Sequence, residues 1–198
     1  MKMKSKKKVF VTVLCAAALV VASVLGTMAF LTSTDQVTNT FTVGKVAITL
    51  DETDVTPMGV QDTDARVQGN EYKLIPGHTY IKDPTVHVDA DSEDSWLFVK
   101  VDNGISDLEA TGNTTIAEQM KAKGWTLVTG TTNVYAYAQK ATAGQDIRVF
   151  DSFTIAGDAA VADYADKKIT IEAYAIQADG FGTAADAWTA APIWGYQK

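Results

Sequence analysis

Cysteine is nearly missing from this chain. Cys15 is the only one, and it lies in the apolar run that opens the sequence. No disulfide can form within the chain, and none of its chemistry can rest on a thiol once that run is removed. Histidine is scarce as well: there are two, His78 and His87. They do not form a His-Glu-x-x-His pair, so the zinc motif that sets two imidazoles and a glutamate base on one helix is excluded. Positive charge is in deficit, with 17 Lys+Arg against 24 Asp+Glu. That balance argues against nucleic acid as a partner, because phosphate binding needs a basic surface. No glycine-rich phosphate loop, Ser-His-Asp order or paired-carboxylate motif rises above the acidic background. No catalytic residues, metal or cofactor are expected.

Positive charge is concentrated at the start. Lys2, Lys4, Lys6, Lys7 and Lys8 precede a charge-free run from Val9 to Leu25. That run is shorter than the roughly 20 residues a spanning helix needs. It ends near Thr27-Met28-Ala29, the small-x-small pattern that a signal peptidase reads. We therefore expect residues 1–29 to be a signal peptide, cut between Ala29 and Phe30, and the product to be secreted to the matrix or cell surface. Cys15 does not suit lipid attachment, because Thr12 stands three before it and the apolar run continues past it. With residues 1–29 removed, the basic residues fall to 12 against the same 24 acids. The remaining residues, 30–198, are long enough for one domain with a real core.

Behind the junction, Thr38-Asn39-Thr40-Phe41-Thr42-Val43 is rich in β-formers. Phe41 and Val43 share one face; Val46, Ile48 and Leu50 lie in the opposite parity, which predicts a bulge or short break at Gly44-Lys45. The acidic stretch 51–70 reads as a long surface loop with at most a short edge strand. Tyr72 to Gly77 reads as a strand edge entering a type II turn at Pro76-Gly77. Thr85 to Val88 alternates. Ser95 to Val101 is the most apolar run after the signal, and it predicts a central strand buried on both faces. Thr115 and Glu118 form a capping box, and Gly124 closes the helix they open. Strands are expected at 125–128, 134–139 and 147–155, the last two flanking a hairpin-like turn at 141–145. Another is expected at 168–177, with a short helix at 184–191. About eight short strands with frequent turns predict an all-β fold: an antiparallel, jelly-roll-like β-sandwich with one or two short inserted helices.

Taken in order, Ala29-Phe30-Leu31, the run Val37 to Gly44, Leu74-Ile75-Pro76-Gly77 with Lys82, Val86-His87-Val88, Leu97 to Val101, and Ile169 to Phe181 resemble the TasA/camelysin family of exported biofilm-matrix proteins. The resemblance spans nearly all of residues 30–198. It implies a jelly roll, a dedicated signal peptidase, and extracellular fibres built by donor-strand exchange. The expected partner is a second copy of the chain, joined head to tail, with other matrix proteins as further partners. A strand freed at a new N-terminus is also what β-augmentation requires, and heterologous contacts of that kind propagate into filaments. Phe30, Leu31, Phe41 and Val43 are the apolar anchors we assign to that strand.

Three other constellations bear on function. His78 and His87 are the candidate metal ligands of a camelysin-like metallopeptidase, although turn and strand context favours ordinary polar surface residues. Asp89 to Asp94 begins like a calcium loop, but Asp94 stands where that loop needs glycine and Lys100 where it needs glutamate. Trp96 and Trp125 suit a core; Trp188 and Trp194, with Tyr196, suit an exposed sugar platform, the signature of a monomeric adhesin.

Overall fold

The run from Ser95 to Val101 does form a central strand, for the reason its apolar density gives. In the computed structural model, which describes residues 44–112, 115–164 and 166–195, this strand (β5, Ser95–Asn103) has neighbours on both sides. Its alternate residues enter two different cores. Leu97, Val99 and Val101 point into one cluster; Trp96 and Phe98 point into the other. A strand that must bury both faces cannot alternate polar with apolar, and this one does not.

Ten strands are present among the described residues. They are β1 (Ile48–Val55), β2 (Gln61–Val67), β3 (Thr79–Ile81), β4 (Thr85–Val88), β5, β6 (Trp125–Leu127), β7 (Val134–Tyr137), β8 (Asp146–Arg148), β9 (Ser152–Thr154) and β10 (Ile169–Gln177). One sheet has the order β2-β1-β4-β8 and a second the order β10-β5-β7-β6. A separate two-stranded ladder pairs β3 with β9, with Tyr80 stacked on Phe153 at 4.8 Å between centroids. Every pairing is antiparallel. The main core lies between the two four-stranded sheets, where Val86, Val88 and Ile147 meet Leu97, Val99 and Trp125. The chain is thus an antiparallel, jelly-roll-like sandwich with short helices.

Helix α1 (Ile116–Ala122) follows its sequence signals. Thr115 caps it by accepting the Glu118 N–H at 3.3 Å, and Ile116 and Met120 bury one turn apart. Gly124 ends it at φ +89°, a conformation that costs glycine little. Helix α2 (Ala184–Ala190) packs on the outer face of the second sheet. There Trp188 contacts Phe98 and forms the second core with Val134, Ile176 and Ala187. No helix among the described residues is long and apolar enough to cross a membrane.

Several expectations need correction. Residues 51–70 are mostly a hairpin, not a long loop. β1 runs on to Val55, and β2 pairs with it in the register Glu52–Val67 and Thr53–Arg66. β2 is exposed almost throughout; its order comes from main-chain pairing, so it carries no apolar alternation to read. Residues 72–75 are not a strand, although Tyr72 and Leu74 pack on the main core. The turn that follows is as predicted, with Gly77 at φ +76° and His78 N–H bonded to the Ile75 carbonyl at 3.2 Å. The stretch 147–155 is two strands in two ladders, broken at Val149 to Asp151, and it makes no hairpin with β7. The signal peptide, the cleavage point Ala29–Phe30, and the anchors Phe30, Leu31, Phe41 and Val43 all lie outside the described residues.

Candidate functional site

Among the described residues, β10 has one strand neighbour, β5. In β1, residues 48–51 pair with β4 alone among the described residues, because the β2 ladder begins at Glu52. These two open edges line one groove of about 1680 Å³. Its walls carry Ile48 and Leu50 from β1, Ile169, Ile171 and Ala173 from β10, and Tyr72 and Leu74 from the segment after β2. All seven touch the main core yet stay half-exposed. Apolar side chains left half in water beside unpaired strand edges are an incomplete core layer. The predicted alternation of β10 is what produces this wall: Ile169, Ile171, Ala173 and Ala175 all contact the main core.

The outer face of the first sheet is polar and holds His87. Registers Asp51–Thr85 and His87–Asp146 bring three chain-distant groups together. His87 Nε2 lies 2.8 Å from Asp51 and Nδ1 lies 2.6 Å from Asp146. Burial pulls the imidazole pKa down, but the bonds to Asp51 and Asp146 outweigh it and hold the pKa above its ordinary value. Asp51 also takes the Arg66 guanidinium. Burial pushes its carboxyl pKa up, and the bonds from Arg66 and His87 more than reverse this, leaving it below the usual carboxylate range. Arg66 and Arg148 share Asp83, and Arg148 and Lys123 share Asp151. A pocket of about 380 Å³ opens over these groups, and each cation around it is already matched to a carboxylate.

The other sequence candidates fall apart in space. His78 is at a turn, with Nε2 2.9 Å from the Met58 carbonyl and its ring edge-on to Tyr80. It is not brought to His87, and no three His, Cys, Asp or Glu side chains among the described residues are grouped to hold a metal ion. In the acidic turn, the Lys45 ammonium pairs with Asp91 at 3.2 Å and Asp89 at 3.6 Å. A calcium ion there would have to displace it. Trp96 and Trp125 are in the core as predicted. Trp188 is not an exposed platform, because α2 folds it against Phe98 at 5.1 Å. Trp194 is half-buried beside it and donates Nε1–H to Glu172 at 2.8 Å.

Sequence reading missed Glu52. It continues the inward parity of Ile48 and Leu50, is 4% exposed, and meets Lys82 and Asn70 below the groove. A carboxylate two residues beyond two inward apolar residues was the available signal. Comparisons with protein-family models, with curated proteins and with solved structures find no match.

Proposed function

We propose that this protein is a secreted structural subunit of an extracellular fibre, in which residues 30–43 of one copy complete the sandwich of the next. The observation that carries the reading is the groove. It offers the unpaired edge of β10 beside a half-exposed apolar wall. An incoming strand would gain main-chain bonds along β10, each contributing about 0.5–1.5 kcal/mol net. Apolar anchors such as Phe41 and Val43 would add about 1.5–3 kcal/mol each if fully buried. Fourteen residues reach roughly 45 Å when extended, more than a nine-residue edge requires. The resemblance to TasA/camelysin proteins points the same way, as does the strand-forming sequence behind Ala29.

The test uses two defective variants. Deleting residues 30–36 removes the start of the donor, and Ala173→Arg places a long charged side chain in the groove. Each alone is expected to stay folded and fail to extend fibres, by sedimentation and negative-stain imaging. Mixed, they are expected to stop at one-to-one dimers, because the Ala173→Arg chain still donates and the truncated chain still accepts. Regular fibres from the truncated chain alone would sink the reading. Unfolding of that chain would make 30–36 an ordinary internal part of its own domain.

A further inference from the structure

The Glu52 carboxylate lies between two groups that react with each other under the right conditions. Its Oε2 is 2.5 Å from Lys82 Nζ, and its Oε1 accepts from Asn70 Nδ2 at 2.8 Å. Glu52 and Lys82 are 4% and 6% exposed. The Asn70 carboxamide is fixed at both ends: Oδ1 accepts the Val55 N–H at 2.9 Å, and Nδ2 also donates to the Thr53 carbonyl at 2.9 Å. The Tyr72 ring shields the lysine, with Nζ 5.9 Å from its centroid.

A buried ion pair is a poor source of stability, since desolvating the charges offsets their attraction. The same surroundings favour chemistry. An amine held out of water against a carboxylate can give up its proton and become a nucleophile. Nζ and the amide are separated by no more than one carboxylate and its two contacts.

We propose that Lys82 and Asn70 join through an intramolecular isopeptide bond, with Glu52 as the proton carrier. Glu52 takes a proton from the Lys82 ammonium. The neutral Nζ attacks Cγ of Asn70, and the Val55 N–H holds the oxygen on which negative charge develops. Glu52 then hands its proton to Nδ2 and takes the second proton from Nζ; the Cγ–Nδ2 bond breaks, and the ammonia carries that last proton away as ammonium, leaving Glu52 a carboxylate. One C–N bond forms and one breaks, so no oxidant or co-reactant is needed. The product ties the segment after β2 to the residue after β3, closing a loop in a chain that can form no disulfide. This inference does not depend on the fibre reading.

Mass spectrometry of the purified exported protein tests it, with the N-terminus read from the same digest. The folded chain is expected to be lighter than its sequence by about 17 Da, the mass of the ammonia expelled when the amine displaces it. Trypsin should no longer cut after Lys82, so the peptide 67–73 should appear joined to 74–100. Lys82→Arg, Asn70→Ala and Glu52→Gln should each restore the full mass and abolish the joined peptide. A succinimide at Asn70 would lower the mass equally but would persist in Lys82→Arg, and that result would overturn the proposal. So would wild-type protein at its full mass with free Val67–Lys73 peptide, whatever the variants do.

Discussion

Replacing Phe98 with alanine should remove the centre of the second core. The side chain is fully buried, 5.1 Å from the Trp188 ring and 6.3 Å from Tyr174 between centroids. Phe-to-Ala changes at such sites cost about 3–5 kcal/mol, from lost transfer energy and the cavity left behind. Loss of the aromatic pairing contributes about 0.5–1.5 kcal/mol within that range. For a domain of this size, each kcal/mol lowers Tm by roughly 2–4 °C, so a drop on the order of 10 °C is expected. Against a total stability of about 5–15 kcal/mol, this is a large share. Urea unfolding followed by tryptophan fluorescence is a suitable assay, since Trp188 lies in the same cluster. Phe98→Ala and Trp188→Ala should also be strongly non-additive in a double-mutant cycle, because each opens the same space. A loss below about 1 kcal/mol for Phe98→Ala would refute the two-core reading of the second sheet.

Gly59→Ala should destabilise by more than about 1–2 kcal/mol, since Gly59 sits at φ +70° and an added Cβ would lie 2.7 Å from the Tyr80 backbone; a neutral effect in thermal melts would contradict the turn geometry. His87 has a folded pKa above its ordinary 6.5. Its contribution to stability is therefore fully present below about pH 6.5 and is lost as pH rises through the higher folded value. Wild-type stability should decline across that window while His87→Gln stays flat there; parallel curves would show that the Asp51–His87–Asp146 contacts do not form in solution.

The parts of the fold that sequence made legible are those where burial writes a pattern. Ser95 to Val101 is apolar because both faces are covered, and Ile169 to Ala175 alternates because one face is. Thr115 and Gly124 mark α1 through local backbone chemistry. β2 was hidden because main-chain bonds hold Gln61 to Val67 while its side chains stay in water. The break at Val149 to Asp151 was hidden too, since strand composition does not say which sheet a strand joins. Of the groove, the sequence gives the β10 wall but not the unpaired edge beside it, which depends on where the β2 ladder stops. The grouping of Asp51, His87 and Asp146 spans 36 and 59 residues of chain, so only the sheet register reveals it.

Among the edge strands of the described residues, β10 and β2 differ in chemistry. β10 shows aliphatic side chains along its groove, whereas β2 carries Asp62 and Asp64, with Asp54 across the hairpin bonded to Thr63 at 2.7 Å. Unpaired strands attract one another, and carboxylates along one of them deter sideways pairing between copies. In the fibre proposed above, growth through β10 would run in a line, with repulsion between the β2 carboxylates of neighbouring lines holding them apart. That repulsion reaches only about 8 Å at physiological ionic strength. Brine would shorten its reach, and separate threads would then gather into bundles while the joints within each thread stayed unchanged.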